Sequence, residues 1–381
     1  MHNSFFENMC IFTRPPYKVL LKKPFFPRFL HFFREIFLSR IFKRNQHHTF
    51  YGGEATMMHT NSVFSDANDP NAVEGESSKR FLRTDLACEI LNPEEKRSQA
   101  GASYREYKRG NLSVARLQIE DKEGEERFRR EIGTYVTVTT GSILLLSPEE
   151  IDVLNEILVA ELRHMAEQVT GKPIDHALRV LVAGLGNAHM TADALGPEAV
   201  RTLPVTRHLQ SVDDPALLNE GKRFACISVI SPGVLAETGI ETRELIRAAA
   251  ESVNPDLLIV IDALAARSCE RLATTVQLSS TGIRPGSGVG NCREALNRET
   301  IGCPVIAIGV PTVVDSSTLV YDALTEAGIR DDEIDEKLLR VLENGRSFFV
   351  SPKEIDALTE AFATLLSDAI SDALSVKDTR A

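Results

Sequence analysis

The sequence lacks the patterns that identify membrane-anchored and exported proteins. Lysine and arginine interrupt every apolar run of the phenylalanine-rich first part of the chain, so no stretch of about 18 uncharged apolar residues forms there. Neither the clean apolar segment of a secretory signal peptide nor a small-residue cleavage site is visible. We therefore predict no membrane partner for the chain.

The motifs of several common enzyme classes are also absent. No G-x-S-x-G occurs and histidines are few after residue 100, which argues against a Ser/His/Asp triad. No G-x-x-x-x-G-K-S/T phosphate loop is present. The six cysteines form no C-x-x-C and no Cys/His pair at zinc spacing. We expect reduced, buried thiols, and neither a metal ion nor another cofactor.

Charge is spread unevenly along the 381 residues, whose net charge is −11. Residues 1–56 hold nine Lys and Arg against three Glu, and eleven of the 18 Phe. The rest of the chain is strongly negative. This argues against direct nucleic-acid binding, because phosphate contacts need a basic surface.

Residues 1–56 differ so much from the remainder that we interpret them as an over-long gene model. Gly52-Gly53-Glu54 can be encoded by GGA-GGT-GAA, which matches a strong bacterial ribosome-binding sequence ahead of Met57. Translation is then expected to start at Met57 or Met58. The alternative is a basic amphipathic helix on a membrane surface between Phe29 and Phe42.

The middle of the chain predicts a small β portion and then a helix. Residues 59–80 are polar and are expected to be disordered or loosely attached. Charged, helix-compatible sequence then runs to about Gly110. Within residues 112–146, "LSVARLQIE" and "GTYVTVTTG" alternate apolar and polar residues, as half-buried strands do. Ser147 as N-cap, with Pro148 after it and Glu150 in the capping-box position, predicts a long amphipathic helix.

From Ala177 to about residue 320 short apolar runs alternate with helical patterns. The runs are "ALRVLVAGLGN", "FACISVISPG", "LLIVIDALAA", "TTVQLSS" and "PVIAIGVPTVVD". Uniformly apolar strands are typical of a parallel sheet that helices cover on both faces. The segments "GPEAVRTLPVTRHLQ" and "ETRELIRAAAESV" are expected to be helices, as is a final amphipathic segment that Ser351-Pro352 opens. The predicted fold class is α/β.

Two acidic residues come after strands of this sheet. Asp193 lies just past "VLVAGLGN", and Asp262 ends "LLIVID". Ligands of open α/β sheets bind beyond the carboxyl ends of the strands, so both side chains are candidates for a shared site. Two close carboxyls share a proton, and such a pair can hydrolyse a peptide bond. Helix capping and, for Asp262, Mg²⁺ binding in nucleotide enzymes remain alternatives.

Glycine-rich segments offer a non-enzymatic alternative. "GLGN" carries two glycines of the dinucleotide fingerprint, but His189 stands in place of the third. "PGSGVGN" could form an anion-binding nest or a close-packed turn. An anion- or nucleotide-binding module without catalysis would use these two segments.

Six motifs in fixed order resemble the germination proteases of spore-forming bacteria. They are "RTDLACE", "GLGNAHMTADALGP", "SPGVLAETGIET", "IVIDALAAR", "STGIRPGSGVGN" and "PVIAIGVPTVVD", and the resemblance runs from about residue 82 to the C-terminus. It implies a phosphorylase/hydrolase-like α/β fold with a mostly parallel sheet. It also implies a tetrameric zymogen of the forespore and spore-core cytoplasm that starts the degradation of small acid-soluble spore proteins during germination.

The resemblance also implies self-processing after an acidic residue that a hydrophobic residue and then Ala follow. Asp85-Leu86-Ala87 fits this preference, with the cut between Asp85 and Leu86. The expected organisation is an extension (1–56), a propeptide (57–85) and one peptidase domain (86–381).

The two essential aspartates of the family correspond to Asp193 and Asp262. A wider similarity to hydrogenase maturation proteases keeps a metal-assisted peptidase at these carboxyls as an alternative. Relatives often carry His where this chain has Arg284, which weakens that alternative. An acidic side chain before the cut calls for a basic partner, for which Arg267, Arg284 and Arg293 are the candidates.

Overall fold

The apolar runs of the sequence form the strands of one large sheet. The computed structural model describes residues 84–89, 101–209, 222–289, 293–330, 333–335, 337–338 and 348–377. All of them belong to a single compact unit, Asn71–Ala381. The expected extension 1–56 and almost all of the expected propeptide 57–85 lie outside the described residues.

Strands and helices alternate along most of the described chain. The strands are β1 (Ala102–Arg109), β2 (Leu112–Ile119), β3 (Gly133–Thr139), β4 (Arg179–Gly184), β5 (Lys222–Phe224), β6 (Cys226–Ile230), β7 (Leu257–Ala266), β8 (Thr275–Ser279), β9 (Val305–Asp315), β10 (Phe349–Val350) and β11 (Ser375–Lys377). The α-helices are α1 (Lys122–Phe128), α2 (Pro148–Thr170), α3 (Leu195–Arg201), α4 (Leu235–Thr238), α5 (Thr242–Val253), α6 (Arg298–Ile301), α7 (Ser316–Glu326) and α8 (Ile355–Ala373).

Within the described residues the main sheet has the order β1-β2-β3-β8-β9-β7-β4-β6, and β10 pairs with β9. Neighbouring strands are parallel within the group β9, β7, β4 and β6. The strands β1, β2, β3 and β8 continue the sheet with antiparallel pairing. A parallel half and an antiparallel half therefore meet where β9 pairs with β8.

Helices cover both faces of the parallel half. Leu257, Ile259 and Ile261 of β7 pack in one apolar cluster with α2, α3 and α8. Leu258 and Val260 of the same strand pack in another with α5 and α6. Because successive side chains of a strand point to opposite faces, a fully apolar strand needs cover on both sides. The predicted α/β class with helices on both faces is confirmed.

Two predictions about the β portion are wrong. The charged sequence before Gly110 is not helical: Ala102–Arg109 is the edge strand β1, paired along its whole length with β2. Its exposed charged side chains suit an edge strand, and cross-strand pairing overrides helix propensity here. The run "TTVQLSS" contains β8, which is antiparallel to both of its neighbours rather than part of the parallel core.

The predicted helix bounds agree with the structure in two cases and differ in two. The segment predicted over 241–253 forms α5, Thr242–Val253. Ser147 caps α2 through a capping box with Glu150, and Pro148 is its first residue, as predicted. The helix predicted over 196–210 ends at Arg201, and a separate 3-10 turn covers Arg207–Leu209. The last helix, α8, begins at Ile355, not at Ser351-Pro352.

Four cysteines in the described part of the chain are free thiols. Cys226 and Cys303 are buried, and Cys88 and Cys269 are partly exposed. Cys10 and Cys292 lie outside this part.

No helix among the described residues is both long enough and apolar enough to span a bilayer.

Phe362 of α8 anchors this helix on the sheet and provides a stability test. Its side chain is 1% exposed, whereas that of Phe348 is 60% exposed. We expect Phe362→Ala to lower the free energy of unfolding by about 3–5 kcal/mol, because it leaves a cavity in the core. Phe348→Ala is the matched control, with a change within about 0.5 kcal/mol. Urea unfolding followed by circular dichroism measures both, and equal losses would contradict this packing.

Candidate active site

The two candidate aspartates lie at the carboxyl ends of neighbouring parallel strands. Gly184, at the end of β4, pairs with Ile261 of β7, and Asp262 is the next residue of β7. Asp193 ends a 3-10 turn, Thr191–Asp193, in the segment after β4. Ligands of α/β sheets bind at this edge. The structure thus places both residues where the sequence predicted a site.

Backbone contacts hold Asp193 against the end of β4. Its Oδ2 accepts a hydrogen bond from the Asn187 N–H at 2.8 Å. Gly186 has a φ of +109°, and a methyl group there would lie 2.0 Å from the Asp193 carbonyl oxygen. A glycine is therefore required for this close approach. The Thr312 hydroxyl of β9 donates to the Ala192 carbonyl oxygen at 2.6 Å and ties the turn to the sheet.

Burial changes the proton affinity of both carboxyls. The side chain of Asp262 is buried, and this burial raises its pKa well above the ordinary value, with the negative charges of Asp193 and Asp85 adding to the rise. Burial also raises the pKa of Asp193. The hydrogen bond from the Asn187 N–H lowers this pKa in part, and the negative charge of Glu237 adds a smaller rise. Because the charge of Asp193 acts on Asp262, the two carboxyls titrate as a coupled pair that retains a proton to higher pH than ordinary aspartates.

The segment Thr84–Glu89 lies along the same end of β7. The Asp85 N–H donates to the Ala265 carbonyl oxygen at 3.0 Å, and the Ala265 N–H donates back to Asp85 Oδ2 at 2.9 Å. The Ser287 hydroxyl donates to Asp85 Oδ1 at 2.5 Å. A methyl group on Gly288 would lie 2.4 Å from Asp85 Oδ2, so Gly288 leaves the space that this carboxylate fills.

The residues after Asp85 are held just as closely. Leu86 is fully buried and packs on Leu264 and Ala266 of β7. The Gln277 side chain of β8 donates from Nε2 to the Asp85 carbonyl oxygen at 2.8 Å, and its Oε1 accepts the Ala87 N–H at 2.6 Å. The bond between Asp85 and Leu86 is therefore fixed on both sides.

Glu89 anchors the far end of the segment. Its carboxylate accepts the backbone N–H groups of Arg267 and Ser268, each at 2.9 Å. The Arg130 guanidinium donates to the Thr84 carbonyl oxygen at 2.9 Å at the near end. The Glu89 side chain is only 4% exposed, so leaving its carboxylate without these hydrogen bonds would be costly, and the contacts order the segment.

The three arginines predicted to bind an acidic side chain lie in different surroundings. Arg267 and Arg284 line a cavity of about 880 Å³ that Asp85 and Gln277 also line. Arg293 pairs with Glu241 at 3.2 Å. Among the described residues, the Ser287 hydroxyl and the Ala265 N–H donate hydrogen bonds to the Asp85 carboxylate. The role of the three arginines in binding an acidic side chain therefore stays a prediction.

Sequence reasoning did not single out Gln277 or Ser287. Ser287 lies within "PGSGVGN", a segment interpreted only as an anion nest or a turn. Gln277 is the one amide in the apolar strand "TVQLS", and a buried polar residue in such a strand is a usable indication of function. No group of three or more His, Cys, Asp or Glu side chains that could hold a metal ion occurs in the part of the chain that the structure describes.

The buried Asp262 carboxyl gives a pH-dependent stability difference. Because its pKa is raised in the folded state, folding binds a proton in the interval between the ordinary value of 3.8 and the folded pKa. Stability due to this group is thus lost as pH rises through that interval. We expect Asp262→Asn to become increasingly more stable than the parent chain as pH rises from 4 to 8. Urea unfolding of both chains measures the difference, and a pH-independent difference would contradict the raised pKa.

Comparisons with known proteins identify the family of the chain. The family model of the germination protease matches residues 83–327. A germination protease of Caldanaerobacter subterraneus subsp. tengcongensis is 39% identical over 313 residues, covering 77% of this chain and 94% of the relative. Those of Clostridium tetani (34%; 77% and 95% covered) and Bacillus pumilus (35%; 78% and 94% covered) are similarly close.

Among solved structures, a NiFe hydrogenase maturation protease from Thermococcus kodakarensis matches with a TM-score of 0.30 and 17% identity, over 55% of this chain and 97% of that one. Similarity at this level supports no transfer of site residues. The family match and the relatives, in contrast, extend over most of the chain. The chain belongs to the germination protease family.

Proposed function

We propose that this chain is a self-processing endopeptidase that uses Asp193 and Asp262 to cut its own Asp85–Leu86 bond. In germinating spores it would start the breakdown of small acid-soluble spore proteins at acidic–hydrophobic–Ala sites. The observation that carries the proposal is the position of Asp85-Leu86-Ala87, which lies along β7 close to the buried Asp262, where the charge of Asp85 raises the pKa of Asp262.

The environments of the two carboxyls suggest different tasks. Asp262 is buried beside two negative charges and is the member that keeps a proton. Asp193 is partly exposed and accepts a backbone N–H, which favours its ionised form. A pair whose environments separate the two pKa values supplies one base and one acid.

The proposed reaction begins with a water molecule beside Asp193. Asp193 takes a proton from the water as its oxygen bonds to the Asp85 carbonyl carbon, and Asp262 gives its proton to the carbonyl oxygen. The tetrahedral intermediate then loses the Leu86 nitrogen, which takes the proton from Asp193, while the hydroxyl proton returns to Asp262. The products are a carboxyl group on Asp85 and an amine on Leu86, and both aspartates regain their starting states.

Contacts of the segment account for the sequence preference that resemblance to the family implies. The carboxylate of Asp85 accepts hydrogen bonds from the Ser287 hydroxyl and the Ala265 N–H. Leu86 fills an apolar pocket. Ala87 is 1% exposed, so that the site leaves no space for a larger side chain at this position.

Three further elements of the proposal rest on the family resemblance. The chain is a zymogen until its propeptide is removed, it assembles as a homotetramer, and it works in the forespore and spore-core cytoplasm. Its substrates coat DNA, but the net charge of −11 argues against direct contact of the enzyme with nucleic acid.

Self-cleavage is the direct test of this function. The purified full chain, incubated in mildly acidic buffer, is expected to yield a fragment that begins at Leu86, as determined by mass. Asp193→Asn and Asp262→Asn are each expected to slow its formation at least about 100-fold, because each removes one acid–base group. The exposed Asp356 provides the matched control, and Asp356→Asn should cleave at the parent rate. Parent-like cleavage by Asp262→Asn would refute the paired-aspartate mechanism.

The acidic side chain before the cut can be tested separately. Asp85→Asn keeps the shape and one accepting oxygen but loses the charge that the Ser287 hydroxyl and the Ala265 N–H meet. Hydrogen bonds to a charged group are worth about 1.5–3 kcal/mol, so we expect cleavage about 10- to 100-fold slower. Asp85→Glu serves as the charged control and should retain more activity than Asp85→Asn. The opposite order would show that shape, not charge, determines the preference.

A further inference from the structure

The side chain of Gln277 contacts the proposed cleavage site at two points. Its Nε2 donates to the carbonyl oxygen of Asp85, the carbonyl of the bond to be cut, and its Oε1 accepts the N–H of Ala87. A primary amide has donors on one atom and an acceptor on the other, so that a single Gln satisfies both groups. Gln277 is 7% exposed; its contact with Ala87 is buried, and its contact with Asp85 is partly buried.

The sheet places Gln277 in one row with Asp262. Gly309 of β9 pairs with Asp262 on one side and with Gln277 of β8 on the other. Residues directly paired on adjacent strands have their side chains on the same face. Asp262 and Gln277 thus flank Gly309, which has no side chain, at strand spacings of about 4.8 Å each. The Leu264 side chain occupies the space over Gly309 and packs on Leu86, the residue that follows the Asp85 carbonyl.

We propose that Gln277 is a catalytic residue that binds the carbonyl oxygen of the bond to be cut and stabilises the negative charge that develops there. This rests on the proposed function, because it takes Asp85–Leu86 as the scissile bond. As water adds to the carbonyl carbon, the C=O electron pair moves to the oxygen, which already accepts a hydrogen bond from Gln277 Nε2. Asp262 then delivers its proton to the same oxygen.

The second contact makes Gln277 a guide for substrate position as well. The hydrogen bond from the Ala87 N–H to Oε1 orients the amide so that Nε2, and not Oε1, faces the carbonyl. The N–H two residues after the cleaved carbonyl therefore orients the Gln277 amide, which donates to that carbonyl. A neutral donor suits this place, since a lysine or arginine would form an ion pair with the nearby Asp262 and lower its pKa.

Gln277→Glu in the full chain tests the donor directly. At neutral pH the new carboxylate presents an acceptor to the carbonyl, and we expect self-cleavage to slow about 100- to 1,000-fold, the usual cost of one lost oxyanion donor. When protonated, the new carboxyl can donate again. The rate relative to the parent chain at the same pH should therefore rise at least about 10-fold as pH falls from 7 to 5.

Matched controls separate this chemistry from structural damage. Gln118→Glu changes the same residue type in β2, where Gln118 accepts from Thr134, and is expected to cleave at the parent rate at every pH. Dividing by the parent rate removes effects of groups common to both chains. The titratable groups of the segment and of β3, β7, β8 and β9 are Asp85, Cys88, Glu89, Tyr135, Asp262 and Asp315; Asp193 acts on Asp262, and Arg130, Arg267 and Arg284 line the same cavity as Gln277.

Gln277→Met is a second variant that keeps the size of the side chain and removes both hydrogen bonds. It is expected to be slow at every pH, without the low-pH recovery. Cleavage of Gln277→Met within about threefold of the parent would overturn the inference, as would a pH-independent deficit of Gln277→Glu. Failure of the proposed function has a different signature: Asp262→Asn would then cleave normally, whatever the Gln277 variants do.

Discussion

The cost of placing a carboxyl group inside the sheet is the constraint on which the site depends. Asp262 is surrounded by protein at the end of β7, and its ionisation is opposed by burial and by two neighbouring negative charges. An isolated buried carboxylate would be very unfavourable, so the group holds a proton instead. The parallel register of β4 and β7 creates this situation, because it brings the turn with Asp193 to the same edge.

Backbone groups, more than charged side chains, hold the segment 84–89 in place. Acidic oxygens of Asp85 and Glu89 accept N–H groups from Ala265, Arg267 and Ser268. The pairing of β7 with β4 ends at Ile261, so the edge of β7 beyond that residue is open to the segment. Backbone donors carry no net charge, so they bind a carboxylate without shifting the proton balance of Asp262 as an arginine would.

Much of this arrangement could be predicted from the sequence, and the exceptions have a common physical cause. The strands of the parallel half, the capping box at Ser147 and the position of Asp193 and Asp262 arise from local patterns. The strand Ala102–Arg109 does not, because its conformation comes from pairing with β2 and not from its own charged residues. Gln277 could not be predicted for a related reason. Its two hydrogen-bond partners lie about 190 residues away in the sequence, so no local pattern indicates them.

The division of contacts around the Asp85–Leu86 bond determines the state of the site once that bond is hydrolysed. Asp85 is held by Ala265 and Ser287, whereas Ala87 and Glu89 have their own partners on β8 and after β7. None of these contacts depends on the covalent link. Hydrolysis of this bond and dissociation of the fragment that ends at Asp85 are therefore separate events. Directly after hydrolysis the two new chain ends lie side by side, and each keeps its own contacts. The rate of this dissociation would determine how soon the site beside β7 can bind another polypeptide.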